Sequence, residues 1–267
     1  LNTEVAVKKA MELADTDGAI IHLLHVLRDV NPRSLSAAAK LVHSKGMNHS
    51  YASELLKQWK TSIEETASAI QVHYYVVPSG SVRDSIERMA TELKTDLIVI
   101  GKRSKPGWFS FPATVVPVKI AESTGCPVFT VRPGALHNKI KTIVVPVNDS
   151  IPENKMEIIA ALCKKLRIKV HLVTFANGES EPNGHSASSL LKMYQWLKNS
   201  MHCPVEYAVL RGYNKPKAVL QYAEKIHADI LLLNPSTETK IGWLNRHISD
   251  VLPPHSRVQV LTVQQAI

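Results

Sequence analysis

The chain has 267 residues, 45% hydrophobic and 21% charged, with three cysteines and a net charge of +9. That is the composition of an ordinary globular protein of about two domains, and it excludes wholesale disorder, collagen and coiled coil. The positive charge is spread evenly, 17 basic against 13 acidic residues over 1–140 and 15 against 10 over 141–267, so no basic tail marks a specific nucleic-acid partner.

Cys126, Cys163 and Cys203 are too few and too scattered for a disulfide framework or a metal finger, and a reducing, cytoplasmic compartment is expected. Apolar runs such as 19–26 and 229–233 fall far short of the ~20 residues that cross a bilayer. Neither membrane insertion of this chain nor a secretory leader is therefore expected.

In chain order the pattern predicts a helix over 5–14, a strand over 19–26 and a helix over about 50–68. Leu55, Ile63 and Ala67 are that helix's inward candidates. Strands follow at 70–77 and 96–101, then a helix opened by Pro117 and a strand over 128–131. The run 142–147 is short, apolar and β-branched, as in a buried strand. Asp149 and Ser150 can cap the next helix, with Pro152 and Glu153 in its first turn. Ile158, Ala161, Leu162 and Leu166 lie along one face of that helix. Then come a strand over 168–175, a helix over 186–200, a strand over 204–210, a helix over 215–227 and a strand over 229–233. A short helix near 247–252 and a strand over 257–264 complete the order.

The second half repeats the first. Gln71–Gly101 and Pro204–Asn234 have equal length and matching apolar positions, His22–Val26 matches His171–Phe175, and Val128–Val131 matches Val260–Val263. The helix 5–14 matches 155–164. Alternating strands and helices imply parallel sheets covered on both faces. The first copy carries a longer stretch between its first two strands. It also begins almost at its first helix, so an opening strand of roughly ten residues is expected before Leu1.

With the repeat in view, Val144-Val-Pro-Val-Asn-Asp-Ser150 resembles the opening strand and turn of the universal stress proteins, and Leu23-Leu-His-Val26 the end of their second strand. Asp96-Leu-Ile-Val-Ile-Gly101, followed later by Gly125-Cys-Pro-Val-Phe-Thr-Val-Arg132, resembles their last third. The resemblance covers nearly the whole chain and implies an α/β tandem protein. Each domain would be a doubly wound five-stranded parallel sheet of universal-stress (adenine nucleotide alpha hydrolase-like) type, one over 1–136 and one over 137–267. It further implies an intrachain pseudo-dimer, with strands 128–132 and 260–263 pairing.

The resemblance also implies an ATP site at the carboxyl ends of the strands. There, glycines let backbone amides approach phosphate and a helix start adds favourable charge. The family's pattern is Gly, two residues, Gly, nine residues, then Gly and Ser or Thr, with an aspartate ending the first strand. This sequence departs from it. In the first half Gly101 is kept, Ser104 replaces the second glycine and Thr114-Val115 the closing pair. In the second half Asn234 replaces the first glycine, Asn148 the aspartate, and His247-Ile248 stands near the closing pair. Gly101, Ser104, Lys105, Gly107, Thr114, Val26 and Asn148 are the candidate nucleotide residues, and weak or absent binding of ATP or AMP is expected, with the first half the better site.

Both loops carry a further shared motif, Ser104-Lys-Pro-Gly-Trp-Phe109 and Thr239-Lys-Ile-Gly-Trp-Leu244. Trp108 and Trp243 could pack on the domains, contact a partner, or stack on a base while Lys105 and Lys240 hold phosphate. His22 and His25 point to opposite faces of a strand, and no motif supplies a metal triad or a catalytic nucleophile. Cys126 before Pro127 reads as a small core residue.

The resulting expectation is a non-enzymatic, cytoplasmic stress-response or regulatory protein acting through interactions. An unidentified protein or a second copy in a homodimer would be its partner. Two alternatives stand beside it: an adenine-nucleotide sensor or slow ATPase using the first-half loop, and a soluble regulatory tail of a membrane transporter.

Overall fold

The computed structural model describes residues 2–14, 18–27, 45–78, 81–102, 116–148, 153–176, 184–201, 203–212, 214–235, 240–241 and 246–264. They fall into two compact units, the described residues of 10–94 and 112–116, and those of 1–9, 95–111 and 117–267.

The chain opens with α1 (Asn2–Leu13). In the smaller unit, β1 (Ile20–Val26) and β2 (Gln71–Val77) form a parallel two-stranded sheet in which Ile21 faces Val72 and His22 faces His73. Between them in sequence runs α2 (Lys45–Thr66), which packs on β2. Its inward row is Ala52, Leu56 and Ile63, all buried, whereas Leu55 is 41% exposed. The expected inward position of Leu55 is thus corrected by one residue. The burying row follows the helical spacing through 52, 56 and 63, and Leu55 stands about 100° round from Leu56.

α2 also satisfies backbone groups of β2. Glu64 Oε1 accepts the Val72 N–H at 3.1 Å, and Lys60 Nζ donates to the Val72 carbonyl at 2.7 Å. The two side chains pair with each other at 3.0 Å. α3 (Val82–Glu92) closes this unit, capped by Ser81, whose Oγ accepts the Asp84 N–H.

The larger unit holds a seven-stranded sheet. Its strands are β3 (Ile98–Gly101), β4 (Val128–Val131), β5 (Thr142–Pro146), β6 (Lys169–Phe175), β7 (Val205–Leu210), β8 (Ile230–Leu233) and β11 (Gln259–Thr262), in the order β3-β4-β11-β8-β5-β6-β7. All neighbours are parallel except β4 and β11, which pair antiparallel with Phe129 opposite Leu261. β9 (Lys240–Ile241) and β10 (Arg246–His247) make a small antiparallel ribbon.

The run β11-β8-β5-β6-β7 is the five-stranded doubly wound sheet expected of the second half. The first half differs: among the described residues its strands form two ladders, β1-β2 and β3-β4. Second-half β5 stands between β6 and β8, the position for which the first half has no counterpart among the described residues.

Helices α4 (Pro117–Thr124), α5 (Glu153–Lys165), α6 (Gly184–Trp196, closing in a π turn, Leu197–Met201), α7 (Lys215–Lys225) and α8 (Ile248–Val251) accompany this sheet. Val219 and Ala223 of α7 pack with Val144, Val173, Leu231, Leu233 and Val260, one alternating face of the strands. α5 buries Lys155, Ile159 and Leu162, so the predicted inward positions Ile158 and Ala161 are displaced to Ile159, while Leu162 holds. The predicted cap residues Asp149, Ser150 and Pro152 lie outside the described residues. α7 is capped by Asn214, whose Oδ1 accepts the Lys217 N–H at 3.0 Å.

Asp229, 4% exposed, ties three strand starts together. Its Oδ2 accepts the N–H groups of Lys141 and Thr142 at 2.8 and 3.0 Å, and its Oδ1 takes Arg257 Nε at 2.8 Å. One residue before each matching aspartate dipeptide, Lys94 and His227 adopt the same left-handed backbone, φ 50° and 52°.

His171 of β6 lies 3.1 Å from the Tyr222 hydroxyl and beside Glu206, which also pairs with Lys169. His22 of β1 lies 3.2 Å from the Tyr75 hydroxyl and stacks on His73. Burial, opposed by Glu206 and reinforced by Lys169, holds the His171 imidazole below its usual 6.5. The folded state therefore favours neutral His171. Its contribution is present above pH ~6.5 and is lost as pH falls through the depressed folded value. Urea unfolding at pH 7.5 and 5.5 tests this: the wild type loses more stability over that interval than His171→Gln.

Candidate functional site

The carboxyl ends of the strands are where an open α/β sheet places ligands. Of the candidates, Gly101, Val26 and Asn148 are described. Ser104, Lys105, Gly107 and Thr114 lie outside the described residues, as do Trp108 and Trp243. Val26 ends β1 in the smaller unit, Gly101 ends β3 in the larger, and half-buried Asn148 follows β5 by two residues. The structure brings no set of these candidates together: Gly101 and Asn148 share the larger unit, but the antiparallel β4–β11 pair reverses the strand direction, so the carboxyl ends of β3 and β5 lie at opposite ends of the sheet.

Gly101 has a packing reason of its own. A Cβ there would lie 2.2 Å from the Asn2 carbonyl oxygen and 2.9 Å from its carbon. The first turn of α1 thus lies directly against the end of β3. The adjoining cation is committed too: Lys102 is ion-paired with Asp250 of α8.

The second-half loop has the same character. Asn234, at the first-glycine position, is 5% exposed. His247 opens α8 without a side-chain cap, and Ile248 is fully buried in the core formed with Val144, Leu231 and Val260.

Three buried cations escaped the sequence reading. Lys9, 3% exposed, donates to the Asn138 carbonyl. Lys155, 3% exposed, donates to the Pro146 carbonyl at 3.1 Å beneath the end of β5. Its signal was a charged residue in an otherwise apolar row, Lys155–Ile159–Leu162. Arg132, 2% exposed, follows β4; its Nη2 donates to the Ser249 carbonyl at 2.5 Å and its backbone N–H to Gln259 Oε1 at 2.5 Å. Burial brings its guanidinium down to about 10. Cys126 is a buried thiol against the Thr95 carbonyl, 3.2 Å away, and burial pushes it up, in keeping with a core role. No group of three His, Cys, Asp or Glu able to hold a metal exists among the described residues. None of their helices is long and apolar enough to cross a membrane.

Residues 2–132 match the model of the Universal stress protein family. Universal stress protein G of Shigella flexneri is 38% identical over 104 residues, 38% of this chain and 70% of that protein. The chain belongs to the universal stress protein family. The fold likeness runs further than the sequence match. A universal stress protein from Archaeoglobus fulgidus DSM 4304 superposes with a TM-score of 0.69 at 17% identity, covering 99% of this chain and 94% of that one. The cytoplasmic domain of a prokaryotic cation chloride cotransporter gives a TM-score of 0.51 at 12% identity, covering 97% of this chain and 92% of its own.

In this universal stress protein the glycine at the end of β3 answers to the backbone of Asn2. Gly101→Ala should therefore destabilise the fold by about 2 kcal/mol or more, because the new methyl meets backbone rather than a movable side chain. Denaturant unfolding checks this: a midpoint equal to that of the wild type would mean that the turn of α1 does not press on β3.

Proposed function

We propose that this universal stress protein is a non-enzymatic, cytoplasmic stress-response or regulatory protein that acts by binding other proteins. Its two domains, 1–136 and 137–267, pair through β4 and β11, which hold matching positions in the two halves. The observation that carries the reading is the occupation of the strand ends by the chain itself. Asn2 lies against Gly101, Asp250 takes Lys102, and Ile248 is in the core. A site built for triphosphate keeps open glycine backbone and free cations there. Here Asn148 also lacks the charge of a carboxylate.

Calorimetric titration with ATP at physiological salt is the test. No saturable micromolar binding is expected, and native mass spectrometry of the gently purified protein should show no adenine nucleotide. A bound nucleotide would replace this reading with that of a nucleotide sensor working through the first-half loop.

The likeness to the cotransporter domain favours one second reading, a regulatory tail that senses or sets the state of a membrane transporter. Fractionation of source cells with an antibody against this chain separates the two. Recovery in the soluble fraction is expected. Retention in carbonate-washed membranes would support the tail.

A further inference from the structure

β7 stands last in the strand order of the larger unit, and its backbone alternates in direction. The Val170 N–H donates to the Pro204 carbonyl and the Ala176 N–H to the Leu210 carbonyl. β6 and β7 are parallel, so Glu206, Ala208 and Leu210 turn their N–H and C=O groups to β6. Val205, Tyr207 and Val209 turn theirs outward, and among the described residues no strand pairs with that row. The first copy closes the matching place: both outward groups of Val72, the counterpart of Val205, are taken by Glu64 and Lys60.

The side chains beside the open row form one surface. Tyr207 and Val209 are exposed on the same face of β7. Tyr207 meets Tyr194 of α6 edge-on, with ring centroids 5.8 Å apart, and Lys198 Nζ stands 5.7 Å from the Tyr194 ring centre. Leu191, also exposed, shares the spacing of one helix face with Tyr194 and Lys198. The charge here is one-sided. Over 184–212 the chain carries three cations, Lys192, Lys198 and Arg211, against one acid, Glu206. Glu206 belongs to the opposite face of the strand and is already paired with Lys169.

We infer that β7 is a docking edge for an extended acidic segment of a partner protein, which joins the sheet as a further strand beyond β7. The inference rests on the reading that this chain acts by binding other proteins, and it names the site and the chemistry of the partner. Main-chain bonds to Val205, Tyr207 and Val209 hold the segment. Its apolar centre covers Tyr207 and Val209, and its acids meet Lys198 and Arg211. A second copy offered edge to edge would bring the same excess of cations against these, so charge selects an acidic partner over self-pairing.

The probe is a fluorescein-labelled nonapeptide, Glu-Asp-Thr-Val-Thr-Val-Thr-Asp-Glu, titrated with the full chain by fluorescence anisotropy. Saturable binding at low salt is expected, weakening about tenfold at physiological salt. The same peptide with lysines in place of its acids should not bind. Lys198→Glu should weaken binding about fivefold or more. Val209→Pro removes an outward N–H and no bond to β6, and should weaken it to a similar extent. The unaltered protein gives a readout free of any folding defect, residue-resolved amide exchange by NMR. Saturating peptide should slow exchange at Val205, Tyr207 and Val209 and leave Glu206, Ala208 and Leu210 unchanged. Absence of saturable binding, equal binding of the lysine peptide, or protection that misses the outward amides would each overturn the inference. So would slowing of those amides by raised protein concentration alone, which would mean that a second copy covers the edge. The readouts are separate: an adenine nucleotide found on the protein counts against action through proteins, whereas a peptide that does not dock counts against the edge alone.

Discussion

Pairing of β4 with β11 is the contact on which the larger unit depends. Each would otherwise be an edge with unpaired backbone, a standing template for aggregation. Joined antiparallel, they make one continuous sheet of the β3-β4 ladder and the five second-half strands. Val128, Phe129, Thr130 and Val131 are each at most 2% exposed, as are Val260, Leu261 and Thr262. The seam is tied at its ends by side chains, not only by the ladder. Gln259 accepts the Arg132 N–H, and Arg132 reaches the Ser249 carbonyl. The hydroxyls of Thr130 and Thr262, at matching positions in the two copies, find no hydrogen-bond partner among the described residues. Each such group costs about 1–3 kcal/mol. The apolar burial around the seam outweighs it, and the branched side chain of threonine still suits a pleated strand.

The same economy explains the strand ends. A nucleotide site needs space, amide groups facing it and free cations. Among the described residues, packing takes up the side of Gly101 that faces Asn2 and the side chain of Lys102. The start of α1 approaches β3 so closely that only glycine fits at 101. Lys102 is held by Asp250, and Ile248, which stands near the closing pair of the second half, is in the core. A glycine kept by descent and a glycine kept by packing look alike in sequence. Here the distance to Asn2 separates them.

Much of the fold was legible because the repeat doubled every signal. Asp96 and Asp229 announce the starts of β3 and β8, and the apolar runs after them are strands in both copies. The second-half strands of the seven-stranded sheet fall within two residues of their predicted limits, since continuous apolar runs bounded by polar turns leave little freedom, whereas the small ribbon of β9 and β10 stands where a polar loop was expected. Helix faces were less legible. Placing Leu55 and Ile158 inward was off by one position, because an amphipathic helix with mixed small and charged residues leaves its apolar stripe broad. Lys155 was not legible as core: burial of a lysine depends on a carbonyl, here that of Pro146, that only the fold brings to it.

The two copies treat their third strands differently. In the first copy the inserted helix α2 places Lys60 and Glu64 against the carbonyl and N–H of Val72, so backbone of β2 is satisfied from within the chain. In the second copy β7 ends the seven-stranded sheet with Tyr207 61% and Val209 43% exposed. Its charge is drawn to one position, Glu206, bonded to Lys169 and beside His171. Val72 and Val205 match in the repeat, yet one is clamped by an ion pair and the other opens an edge strand bearing an aromatic ring. Equal strand order therefore does not give equal surfaces. What distinguishes the halves is the insertion between β1 and β2, which costs little in loop-closure entropy and adds a covering helix.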